Sequence, residues 1–253
     1  MHNAPLISII TPAYNCMSTI DETYKTLLDQ TYINWEWVIT EDCSSDDTFR
    51  RLKEISKKDD RIIILSNEVN SGAAISRNKS ISHSKGEFLA FIDADDQWSK
   101  DKLNTQLMYM LKGDIDFSFT AYEIINEDGV STGNLVDSKQ HEPLNYHAML
   151  KKKATLGCST VMLRVSAFDN IEMPLIRTGQ DYALWLKLLK TGGLAYPIAL
   201  PLTKYRIMRN SISRNKLKKA KRQWQIYREI ERLGFFQAIH CFFFYAWRAV
   251  FRQ

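Results

Sequence analysis

Between Phe88 and Trp98 the chain reads FLAFIDADDQW, an apolar run followed by Asp93, Asp95 and Asp96 within four positions. Carboxylates this close raise one another's pKa, so folding alone gains little from them. Asp93 and Asp95 are two apart at the end of an extended segment, which points their side chains to one side. Two carboxylates converging on one point suit a hard divalent cation such as Mg2+ or Mn2+. Such an ion takes one or two protein carboxylates and completes its shell with water and phosphate oxygens. An isolated DxD also reads as a solvated acidic turn or a helix start. Its position directly after a buried strand shifts the balance toward a ligand.

The elements that must position these acids are legible from period and length. LISII (6–10), WEWVI (35–39), IIIL (62–65) and FLAFI (88–92) read as strands. Between them Ile20, Tyr24, Leu27 and Leu28 keep the helical period, with Ser18 and Asp21 resembling a capping box. Phe49, Leu52 and Ile55 mark a second helix, and a turn at Asn70-Ser71-Gly72 leads into a third. Continuous apolar strands alternating with helices predict an α/β fold with a mostly parallel sheet covered on both faces. Ligands of such sheets bind beyond the carboxyl ends of the strands. Polar clusters sit at those ends: Thr11-Pro12-Ala13-Tyr14-Asn15, Glu41-Asp42, and Asp93-Ala94-Asp95-Asp96. Residues 121–157 read as irregular and polar, CSTVMLRV (158–165) as a further strand and YALWLKLLK (182–190) as a helix.

The 253 residues, 45% hydrophobic and 25% charged, suffice for one large domain or two small ones with a sizeable core. Cys16, Cys43, Cys158 and Cys241 are scattered without a CxxC pair, which argues against a zinc site or disulfide framework and for reduced thiols in the cytoplasm. No early segment has the layout of a signal peptide. The net charge of +5 is unevenly spread: Lys204–Gln253 carries thirteen Lys or Arg against two acids, leaving the first 203 residues near −6. Beyond Ser213 the chain reads as helical, basic first and then aromatic in FFQAIHCFFFYAWRAVF. That stretch is interrupted by Gln237, His240 and Arg248, so an interfacial helix on an anionic leaflet fits better than a spanning one. The competing readings are packing on its own domain or on a second copy as a homodimer. Nucleic-acid binding has no supporting motif.

SIITPAYN, the acidic pair in VITEDCSSDDT, NSGAAISRN, FLAFIDADDQW and GQDYALWLKLL stand in the order and spacing of glycosyltransferase family 2. Over about residues 5–210 the chain resembles that family, and its continuation from YRIMRN is similar to the bacterial polysaccharide branch, including the teichuronic-acid and O-antigen transferases. The resemblance implies a GT-A fold, inverting chemistry and a nucleotide-diphospho-sugar donor. The implied organisation is a catalytic domain at 1–212, with a nucleotide-sugar half (1–98) and an acceptor half (99–212), followed by a C-terminal helical extension at 213–253.

By position, Pro12, Ala13 and Tyr14 would line the base pocket. Asp42 would read the uracil edge with Glu41 supporting it, and Arg77 would lie near the nucleotide. Asp93, with Ala94 beside it, would face the ribose and base. Asp95 would ligate Mn2+ or Mg2+, and Asp96 would orient the donor sugar. Asp181, just before a helix, matches the catalytic base, with a helix cap as its structural alternative.

The family pattern has glycine where Cys43 stands and often glutamate where Gln180 stands. Many members place a histidine after YRI, where this chain has Met208-Arg209, which makes Arg209 a candidate diphosphate contact. The implied reaction moves a hexose, glucose first and galactose as the competing sugar, from a UDP-sugar to undecaprenyl-diphosphate-linked GlcNAc or GalNAc. The implied place is the cytoplasmic face of the bacterial plasma membrane. A scaffold that only binds nucleotide-sugar would not need Asp181 or the DxD. A Rossmann dehydrogenase or a sugar-phosphate nucleotidyltransferase would need a glycine-rich loop after the first strand, where TPAYN stands.

Overall fold

The computed structural model describes residues 4–208 and 216–251. Four parallel strands form its N-terminal half: β1 (Ile7–Ala13), β2 (Trp35–Glu41), β3 (Ile62–Ser66) and β4 (Phe88–Phe91), in the order β3-β2-β1-β4. Helices α1 (Ile20–Leu28), α2 (Thr48–Ser56) and α3 (Ala73–Ser82) make the crossovers. Strands β1, β2 and β4 are buried along nearly their whole length, as two-sided coverage requires.

Alternation divides their side chains between two cores. Ile10, Val38, Leu89 and Phe91 face one, and Ile9, Trp37, Ile39, Phe88 and Ala90 face the other. Register then aligns the strand ends. Ala13 pairs with Glu41 and Ile10 with Phe91, so Tyr14, Asp42 and Asp93 leave the sheet along one edge.

The C-terminal half extends the same sheet through β8-β6-β9-β5. After β5 (Gln97–Trp98) and α4 (Lys102–Gly113) come β6 (Phe117–Ile125), β7 (Ser131–Val136), α5 (Tyr146–Leu150), β8 (Val161–Arg164), α6 (Gln180–Leu189) and β9 (Tyr196–Arg206). From the pairings, β6 and β9 run with the first four strands, and β5, β7 and β8 run against them. Six of nine strands sharing one direction gives the mostly parallel sheet that the apolar runs imply. Helix α7 (Lys216–Gln225), a π-helical turn at Ile226–Ile230 and α8 (Phe235–Phe251) complete the fold. Ile226, Tyr227, Leu233, Ala238 and Cys241 are buried in the same core as α6.

Some local expectations give way. Helix α1 is capped not by Ser18 but by Thr19, whose hydroxyl turns away from the helix to donate to the carbonyl of Ala94 at 2.9 Å. The strand read over 158–165 is confined to Val161–Arg164, because Cys158–Thr160 form a 3-10 turn closed by Thr160 N to Gly157 O at 3.0 Å. Within 121–157, read as irregular, lie the end of β6, all of β7 and α5. All four cysteines are free.

Candidate active site

Along the edge where β1, β2 and β4 end lies a cavity of about 360 Å³, lined by Pro12, Ala13, Tyr14, Asp42, Arg77, Asp93, Ala94 and Asp95 among others. These eight sequence candidates, which span more than eighty positions, thus share one surface. Tyr14 presents its ring half-exposed there. Arg209 lies outside the described residues.

Each acid is held differently. The buried Asp42 carboxylate accepts from Ser71 N (2.8 Å), Gly72 N (2.7 Å) and Asn67 Nδ2 (2.7 Å). It therefore fixes the turn that starts α3. Gly72, at φ +88°, is the N-cap of that helix, and Arg77 follows in its second turn. Glu41 does not line the cavity. Its carboxylate accepts from Ser44 N (2.6 Å) and Cys43 N (3.2 Å) and closes the loop behind Asp42. Cys43 adopts φ +58°, the left-handed conformation that favours the glycine of the family pattern.

Arg77 is buried and its guanidinium donates to the Asp93 carboxylate. Burial disfavours the cation, but the charge of Asp93 above all, then those of Cys158 and Asp181, holds it above its ordinary value. Burial first and the Asp93 charge second push the Asp95 carboxyl up to about 6, while Arg206 and Arg77 pull it down.

Asp96 sits apart from the cavity. Fully buried, it accepts from the Ser159 hydroxyl and from Arg206 N at 2.8 Å, and burial drives its carboxyl well above the usual range. Ser159 also receives Asp93 N at 3.0 Å. Arg206, the last residue of β9, donates to the Asp95 carbonyl at 2.8 Å and the Glu127 carbonyl at 2.7 Å. Ser159 and Arg206 are thus the clamp that shapes the acidic turn. No local pattern marks Ser159. Arg206 had one visible signal, its place in the YRI landmark at a strand end.

Asp181 lies not before its helix but within the first turn of α6, two residues after the N-cap Gly179. Helix α6 is seated by Trp185, whose ring meets Phe91 of β4 at 5.5 Å and Phe117 of β6 at 5.4 Å. Four residues apart, Asp181 and Trp185 share a helix face. Asp181 therefore lies on the face of α6 that Trp185 turns to β4 and β6, although it does not line the cavity. The field of Asp181 on Arg77 agrees with that placement.

No group of three or more His, Cys, Asp or Glu side chains poised for a metal exists among the described residues. The donor set is two carboxylates, Asp93 and Asp95, open to one cavity. That set fits Mg2+ or Mn2+ shared with a diphosphate, because those ions take few protein carboxylates.

Comparison with known proteins places the chain in a family. The profile described as Glycosyl transferase family 2 matches residues 8–172. The chain is 45% identical over 246 residues to the putative teichuronic acid biosynthesis glycosyltransferase TuaG of Bacillus subtilis, covering 97% of this chain and 96% of the relative. It is 39% identical over 222 residues to the UDP-Glc:alpha-D-GlcNAc-diphosphoundecaprenol beta-1,3-glucosyltransferase WfgD of Escherichia coli, covering 87% and 85%. In fold it matches a Pyrobaculum calidifontis mannosyltransferase solved with GDP-Man and Mn2+, with a TM-score of 0.71, 15% identity, and 92% of this chain and 66% of that one covered. With a profile over most of its length and full-length relatives above 30% identity, the chain belongs to glycosyltransferase family 2 and has the GT-A fold.

Proposed function

We propose that this glycosyltransferase moves glucose from UDP-glucose, with inversion, to a GlcNAc or GalNAc carried on a lipid diphosphate during assembly of a cell-surface polysaccharide. The observation that carries the reading is the one cavity that gathers Tyr14, Asp42, Arg77, Asp93 and Asp95. The choice of donor and acceptor leans on the substrates in the name of the E. coli relative. Such an acceptor places the reaction at a membrane surface, peripherally on its cytoplasmic side.

The uracil stacks on Tyr14 between Pro12–Ala13 and the loop ordered by Asp42. Asp93, fixed by Arg77, faces the ribose. The buried cation of Arg77 offsets the charge of Asp93, and a bound divalent cation would supply the further positive charge that lets an anionic diphosphate enter beside Asp42 and Asp95. Asp93 and Asp95 would hold Mn2+ or Mg2+, which supplies charge stabilisation for the departing diphosphate. Asp96 acts from behind the cavity, keeping the acidic turn in shape through Ser159 and Arg206.

Opposite the leaving group, the Asp181 carboxylate accepts the proton of the acceptor hydroxyl as that oxygen attacks the anomeric carbon. The new C–O bond forms as the sugar–phosphate bond breaks, UDP carries away the electron pair, and one inversion results. Gln180 beside the base keeps the position before Asp181 uncharged, so no second carboxylate competes for the proton.

The test is a panel of UDP-sugars offered with synthetic GlcNAc- and GalNAc-diphosphate-lipid acceptors. Turnover with UDP-glucose, and a β-linked product by NMR, is the expected result. Turnover confined to another donor would replace the glucose assignment, and an α-linked product would remove the inverting mechanism.

A further inference from the structure

Helix α8 has two unlike faces. On one side Ala238 and Cys241 are buried in the core shared with α6, and Arg248 Nη1 donates to the Lys152 carbonyl at 3.0 Å. On the other, Phe236, Ile239, Phe243 and Trp247 recur at three- and four-residue spacing and stay exposed, Phe236 at 85% and Phe243 at 61%. Exposed aromatic stripes of this kind mark interaction surfaces.

Cations border the stripe. The Arg228 guanidinium lies 6.0 Å from the Phe235 ring near the start of α8, and the Lys151 ammonium lies 5.2 Å from the Phe244 ring further along. Residues 216–251 hold eight Lys or Arg against two acids. Both acids are engaged: Glu231 is buried against Tyr146 and Lys190, and Glu229 accepts from Gln225.

We propose that this face of α8 is the docking surface for an anionic lipid bilayer. The helix lies in the interfacial plane, with Phe236, Ile239, Phe243 and Trp247 reaching below the headgroups and the bordering cations among the phosphates. Helix amphipathicity with aromatics on one side and basic residues beside it is the physical signature of such binding. Helix α8, at 17 residues, does not span, and no helix among the described residues is long and apolar enough to cross a membrane. A second copy of the chain fits less well. Pairing two such faces would bring their bordering cations together, a like-charge juxtaposition that an anionic bilayer avoids. The proposal rests on the proposed function only in taking a membrane to be near, and its deciding readout is vesicle binding.

The full-length protein is sedimented with vesicles of phosphatidylcholine alone and with phosphatidylglycerol added, at low and high salt. Expected is binding that requires phosphatidylglycerol and weakens with salt. The variant Phe236→Ser/Phe243→Ser should bind at least tenfold more weakly, with its circular dichroism and melting temperature unchanged because both side chains are exposed. Equal binding of variant and wild type would overturn the assignment of this face. Equal binding to both vesicle types would overturn the anionic requirement. A concentration-dependent dimer, lost in the variant, with no vesicle binding by the wild type would make the face a self-association surface instead. UDP-sugar turnover by the variant on a water-soluble acceptor, compared with wild type, separates failure here from failure of the glycosyl-transfer reading.

Discussion

Gly179→Ala isolates the turn that presents Asp181. Gly179 is the N-cap of α6 at φ +72°, where an L side chain costs about 1–2 kcal/mol. An added Cβ would also stand 3.1 Å from Ile226 Cδ1, and Ile226 is buried in the core and has little room to yield. Two responses share the strain. To the extent that the turn holds, the melting temperature falls by roughly 2–4 °C per kcal/mol for a chain of this size. To the extent that it gives, Asp181 shifts, and a displacement of about 1 Å at a reacting group costs on the order of 100-fold in rate. The expected outcome is a fall in kcat of ten- to a hundredfold, with UDP affinity by calorimetry unchanged because the nucleotide cavity lies on other elements. Adding Ile226→Val removes the crowding methyl but leaves φ, so the double variant should recover part of the loss. A Gly179→Ala protein with wild-type kcat and melting temperature would refute the reasoning. So would a double variant no better than the single one.

Further expectations concern the acids. Asp181→Asn should retain UDP binding and lose 10²–10⁴ in kcat, the usual contribution of a positioned base, measured by steady-state transfer. Asp95→Ala should abolish metal-dependent transfer, and full activity of that variant in chelator would remove the metal assignment. Asp42→Ala leaves Ser71 N and Gly72 N without their buried acceptor, at about 1–3 kcal/mol each, so both the urea midpoint and UDP affinity should fall. Asp59 is held below its ordinary 3.8 mainly by its hydrogen bond to Arg61. A depressed carboxyl stabilises above its unfolded pKa and loses that contribution as pH falls through the folded value. Asp59→Asn should therefore lower stability modestly at neutral pH and flatten its pH dependence below pH 4, where the two proteins converge, as read by acid unfolding.

Much of the site was legible because parallel-strand chemistry is local. A strand covered on both faces is mostly apolar, so its end shows as a cluster of polar residues, and Asp42 and Asp93 stand in such clusters. Asp181 was found by resemblance, whereas its position inside α6 depends on Gly179 and on Trp185 meeting Phe91, contacts between residues far apart in the chain. Glu41 and Asp96 show the limit of residue type. Both are acids in the right segments, yet their carboxylates serve the loop behind Asp42 and the clamp through Ser159 and Arg206. Ser159 carries no pattern at all, since its importance comes from meeting the backbone of Asp93 some 66 positions away. The tail was readable as helical, but an aromatic run does not say which of its rings the domain covers.

The C-terminal helices are bolted to the segment that carries Asp181. Arg222 Nε donates to Thr178 Oγ1 at 3.2 Å, Ile226 packs against Gly179, and Tyr227 OH donates to the Leu150 carbonyl. The outer face of α8 and the carboxylate of Asp181 therefore belong to one packed unit. A molecule resting on α8, as proposed above, would hold Asp181 at a set height above the supporting plane. On the docking and base roles proposed above, the protein would be a gauge as well as a catalyst, reading how far an acceptor hydroxyl projects from its anchor.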